Sequence, residues 1–177
     1  MPRYLLALFL LLGTAAGAQA QTAAIPADDG VVLAQIEAQL TAQGLEADLP
    51  AATDSQFALA TSQLVNDSRG PDELANLMRV AVSARPQAAE AILVASTSAA
   101  VDHDFSNPTI GGMIAAAVIA LRAQGVAVDG QSLIDAVAAA TGISAGALEE
   151  AVSAALTDSG LNPFDLFEDR DSDASPS

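Results

Sequence analysis

The chain contains no Cys, no Trp and no Lys, and its single Tyr, Tyr4, lies in the first few residues. The absence of Cys rules out disulfides, thiol catalysis, Fe–S clusters and Cys-based zinc sites, and it excludes a bacterial lipid anchor on Cys. With so few aromatics, a carbohydrate-binding platform is a poor reading, because such surfaces rely on the apolar face and polar tip of Trp or Tyr. Beyond residue 20 the aromatics are Phe57, Phe105, Phe164 and Phe167. A core must therefore come from Leu, Ile, Val, Met and Ala. Ala buries little area per residue, so compensation has to come from helix propensity and many close contacts.

Cationic charge is also scarce. Six Arg face 22 acids, a net charge of −16. Nucleic acid and anionic membrane surfaces are excluded as partners on this ground, since both require a basic face.

The N-terminus supplies the most definite pattern. Met1-Pro2-Arg3-Tyr4 gives a short basic start. Leu5 to Leu12 is an apolar run, and Gly13 to Ala20 is a small-residue exit ending in Ala18-Gln19-Ala20. This is the layout of a secretory signal peptide over residues 1–20. The run is too short for a membrane span, which takes about 20 apolar residues. Cleavage after Ala20 would remove Arg3 and leave a net charge of −17 on residues 21–177. The expected location is the periplasm or the exterior of the cell.

Behind it, residues 21–29 read as a leader and residues 30–160 as one helical domain. Residues 161–177 read as a disordered acidic tail rich in Ser and Pro. Apolar periodicity predicts a first helix over 30–43 with Val32, Leu33, Ile36 and Leu40 on one face, stopped by Gly44. Asp28-Asp29 is placed before it, as a cap. A second helix is expected over 55–66. Pro71 opens a third, with Leu74, Leu77, Met78 and Ala81 as a stripe, and Asp72 and Glu73 beside its positive end. Pro86 opens a fourth. Residues 101–107 read as a polar break, Asn107-Pro108 starts a fifth helix ending at Gly125, and two short helices follow over 130–141 and 145–157. The expected fold is all-α, a single domain of six to seven short antiparallel helices, with a helical-repeat bundle as one way to arrange them.

Internal echoes bear on that arrangement. Pro71–Ala84 aligns with Pro86–Ala99 at an offset of 15, placing Leu77 over Ile92 and Met78 over Leu93. The last two helices repeat the offset, with Leu133 and Val137 over Leu148 and Val152. Val128 before a cap at Asp129, and Ile143 before a cap at Ser144, form two matching hydrophobic staples with Leu133 and Leu148. One reading is a true repeat of helix plus tight turn. The other is that Ala-rich helices of similar length resemble one another by composition.

Residues able to carry chemistry are few. His103, the only His, stands between Asp102 and Asp104, a candidate metal or pH-sensitive cluster. Its structural alternative is an exposed loop. Asp169-Arg170-Asp171-Ser172-Asp173 has the alternate-Asp opening of a calcium loop. Ala174 stands where that loop needs Gly, and no closing Glu follows. No nucleophile elbow, phosphate-binding loop or dinucleotide fingerprint occurs, and Gly111-Gly112 is too short to cradle phosphate. Met113 to Leu121 is the most apolar stretch after the leader, expected as a central core helix and too short to cross a bilayer.

These features point to an exported, non-enzymatic helical interaction or scaffold protein, acting through a protein partner or self-association, with no cofactor. Two alternatives are kept: a small-molecule or lipid carrier with an aliphatic interhelical pocket, and weak divalent-cation binding through acids.

Overall fold

The computed structural model describes residues 27–44, 49–68 and 70–163. The expected signal peptide and acidic tail lie outside them, apart from residues 161–163 at the head of the tail. Among the described residues there are seven α-helices and no strand. They are α1 (Ala27–Ala42), α2 (Asp54–Asp67), α3 (Pro71–Ala84), α4 (Ala89–Asp102), α5 (Asn107–Ala123), α6 (Gly130–Thr141) and α7 (Ala145–Asp158). A single 3₁₀ turn, Pro86–Ala88, leads into α4. No described helix is long and apolar enough to cross a membrane.

Local chemistry accounts for most boundaries. Thr53 and Gln56 form a reciprocal capping box at the start of α2. The Thr53 hydroxyl accepts from the Gln56 N–H at 3.3 Å, and the Gln56 side-chain oxygen accepts from the Thr53 N–H at 2.8 Å. Pro71 occupies the first turn of α3, where a missing N–H is harmless. Asp129 and Ser144 cap α6 and α7 as their sequence pattern predicts, accepting from Ser132 and Ala147. Val128 and Ile143, which precede these caps, are half-buried against the core. Gly125 ends α5 in the left-handed region at φ +72, and the Val126 N–H turns back to the Leu121 carbonyl at 3.0 Å.

The helices form two layers. Helix α3 packs on α5, and α5 on α7; α2 packs on α4, and α4 on α6. Helix α1 closes one end against α2 and α3. Consecutive helices touch, but the principal partner of each helix from α2 onward is two places along the chain. The Gln124 amide just past α5 donates to the Ser83 carbonyl near the end of α3, at 3.0 Å, so these two helices finish together. Ala89 and Glu90 at the start of α4 share a recess with Ser132 and Leu133 at the start of α6 and with Leu121 near the end of α5. This alternation is the packing plan of stacked helical repeats. The 15-residue echoes relate neighbouring helices in opposite layers, and Leu77, Met78, Ile92, Leu93, Leu133, Val137, Leu148 and Val152 are all buried.

Helix α5 is the centre of the odd layer. Ile110, Met113, Ile114, Ala117, Val118 and Leu121 are buried in it, so the apolar stretch 113–121 is a core helix. Its approach to α7 is limited by one residue. A Cβ at Gly111 would sit 2.5 Å from the Ala151 Cβ and 2.6 Å from the Ala151 carbonyl carbon. Gly112, its neighbour, would direct a Cβ into open space. Gly111→Ala is therefore expected to destabilise the fold by about 1–3 kcal/mol through overpacking. Gly112→Ala is expected to stabilise it by up to about 1 kcal/mol through helix propensity. Denaturant unfolding of the two variants, followed by circular dichroism, checks the opposite signs.

Ser96, fully buried on α4, holds the one buried side-chain polar atom among the described residues that has no hydrogen-bond partner. Nearby hydroxyls avoid this by bonding back to their own helix, as Thr97 does to the Leu93 carbonyl at 2.7 Å. Ser96→Ala is expected to raise stability by about 1 kcal/mol, read as a higher denaturation midpoint at unchanged slope.

Candidate functional site

Two ion pairs organise the α1 end of the molecule, one with its cation on α3 and the other with its cation at the C-cap of α3. Arg79 makes a two-pronged contact with Asp29, one prong at 3.1 Å, and also donates to the Asn76 side-chain oxygen at 2.7 Å. Asp29 is buried within the first turn of α1. The expected role of Asp29 as a cap ahead of the helix is thus corrected. The chain is already helical at Ala27, and the Asp29 carboxylate is turned onto α3.

Arg85, just past α3, is itself buried. Its guanidinium donates to the Asp54 carboxylate at 3.0 Å and to the Leu49 carbonyl. It lies over the Phe57 ring, 5.1 Å from the centroid, in cation–π geometry. One side chain thereby holds the connection after α1, the first residue of α2 and a core aromatic.

Two clefts flank this region. The first, about 520 Å³, lies between α1, the end of α2 and α3. Val31, Val32, Leu64 and Leu77 supply its apolar lining, Gln35, Gln39 and Asn76 its amides, and Asp67 and Glu73 its acids. Val31 stands 58% exposed on α1. The second, about 450 Å³, lies on the other flank of α1, over Arg85, with Leu33, Leu49, Pro50, Ala52, Phe57 and Ala84 around it. Sequence reasoning singled out neither set. The residues of each come from three or four elements, and only the fold brings them together.

The candidates that the sequence did offer have other positions. Asp102, His103 and Asp104 are all exposed at the end of α4, where His103 is the C-cap. The helix runs to Asp102, so the expected polar break at 101–107 shrinks to residues 103–106. Asp104 adopts φ +58, the left-handed conformation usually given to Gly at this point. The Phe105 N–H then reaches the Ala100 carbonyl at 3.0 Å, and Phe105 packs half-buried on the core. The segment is a helix-terminating turn in which Asp stands in for Gly. Among the described residues no three His, Asp or Glu side chains are grouped to hold a metal ion. Asp169, Asp171 and Asp173 lie outside the described residues.

The chain matches no family model, no curated protein and no solved structure.

Asp104→Gly is expected to stabilise the protein by about 1 kcal/mol, by relieving the left-handed strain at a β-carbon. If Asp104 instead served a cation, the variant would lose a calcium- or zinc-dependent rise in melting temperature that the parent protein shows. Thermal melts of both proteins with and without each ion separate the two roles.

Proposed function

We propose that the protein is an exported, non-enzymatic helical interaction module that receives a protein partner in the cleft between α1, α2 and α3. The observation that carries this is the lining of that cleft. Val31, Leu64 and Leu77 lie beside Gln35, Gln39 and Asn76. Carboxamides both donate and accept, so they serve a partner's backbone or side chains, while the aliphatic groups supply burial. Asp67 and Glu73 on the same walls, and a net charge of −16, favour a partner with a cationic face and speed its encounter. The N-terminal signal pattern supports export, and the lack of any Cys, of all but one His and of a nucleophile-elbow motif supports a role in binding.

Ala38 is exposed on α1 and lines the cleft. Ala38→Trp is expected to leave the melting temperature within a few degrees of the parent and to abolish partner capture. The measurement is native mass spectrometry of material taken from the protein's own compartment, parent and variant side by side. A parent protein that appears only at its monomer mass, with no partner and no self-association, would remove the basis of this reading.

A further inference from the structure

We propose that the cleft over Arg85 is a binding site for small monocarboxylates with an aliphatic body. The site is separate from the α1–α2–α3 cleft and does not depend on what that cleft binds. Its volume, about 450 Å³, lies within the range of small-molecule pockets, roughly 300–1,000 Å³. Leu33, Leu49, Ala52 and Phe57 give it apolar walls, and Arg85 is its one charged lining group. That pairing of a long apolar surface with a single guanidinium selects a ligand of the same polarity: an alkyl body and one anionic end.

The guanidinium is fixed at the wall of the cleft. It is 9% exposed as a residue, and the Phe57 ring 5.1 Å away holds it in place. A guanidinium has five N–H donors in a planar fork. The bonds to Asp54 and to the Leu49 carbonyl engage two of them. The Asp54 side chain is 49% exposed, so it can return to water when a ligand carboxylate takes the bidentate position.

The charge of the whole chain narrows the ligand class further. A net charge of −16 repels anions at long range, and most strongly those with several charges. A phosphate or a dicarboxylate gains little from one buried cation against that field. A monocarboxylate meets the smallest repulsion and recovers it by burying its alkyl chain.

The test uses protein isolated from its own host, titrated with octanoate and, as controls, octylamine and octanol. Melting is followed by far-ultraviolet circular dichroism and binding by methyl and aromatic NMR shifts. Octanoate is expected to raise the melting temperature in proportion to its occupancy and to shift Leu49, Ala52 and Phe57, with octylamine and octanol inactive. Arg85→Lys keeps the charge, loses the fork, and is expected to bind about tenfold more weakly. Arg85 also supports the fold, so a second variant is needed. Ala84→Leu fills the cleft from an exposed position at the end of α3 and is expected to melt as the parent does, while binding octanoate about tenfold more weakly. The proposal is overturned if octanoate leaves the parent unchanged up to its solubility. It is equally overturned if octylamine binds as well as octanoate, if the shifts fall on Val31 and Leu64 instead, or if Ala84→Leu binds octanoate as the parent does.

Discussion

The fold depends on how closely its helices can approach. An Ala-rich, nearly aromatic-free core buries little area per side chain, so the layers must come together until many small contacts add up. Gly111 against Ala151 is where this limit is reached, with the α5 backbone close against α7. On its other flank α5 packs on α3, so α3, α5 and α7 form one layer in which the α5–α7 spacing is set by residues with almost no side chain. Large aliphatics (Ile110, Ile114, Val118) then fill the space towards the rest of the core. Gly111 and Gly112 are adjacent, yet only the first is required by packing. The second weakens the helix without a steric reason.

A second constraint is electrostatic. With no Lys and six Arg in the whole chain, cations are too few to neutralise the acids, and two of them are committed to internal tethers. Arg79 fastens the first turn of α1 to α3, and Arg85 fastens the connection after α1 and the first residue of α2. Both tethers serve the end of the stack where α1 closes the layers. At the other end, α7 meets the core through Leu148, Val152 and Leu156 and comes closest to α5 where Ala151 faces Gly111.

Much of the helix plan is written locally. Pro71, Pro108, Gly44, Gly125 and the caps Asp129 and Ser144 each act within a turn or two, and the helices they delimit fall where the pattern places them. The capping box Thr53-Asp54-Ser55-Gln56 starts α2 at Asp54, one residue before the start that apolar periodicity gives. The end of α4 was misjudged because Asp102-His103-Asp104 looks like a loop by polarity, whereas Asp104 in the left-handed region closes the helix. The layering could not be read at all. A link of a few residues fixes that the chain reverses, but not whether a helix packs more on the next one or on the one after. The clefts were hidden for the same reason: Arg85 meets a carbonyl 36 residues earlier, and no local periodicity encodes that pairing.

Helix α1 is the wall that both clefts share. Consecutive residues of an α-helix project about 100° apart. Val32 therefore faces the cleft against α2 and α3 while Leu33 faces the one over Arg85. Ile36 and Leu40, fully buried, anchor the helix between them. Its rotation is further fixed by Asp29, whose carboxylate is held from two sides by the Arg79 fork, a geometry that resists twisting better than a single point contact. The Asp29–Arg79 pair thus does more than add a surface ion pair of small energy. It fastens the first turn of α1 to α3, and so holds the helix that walls both clefts.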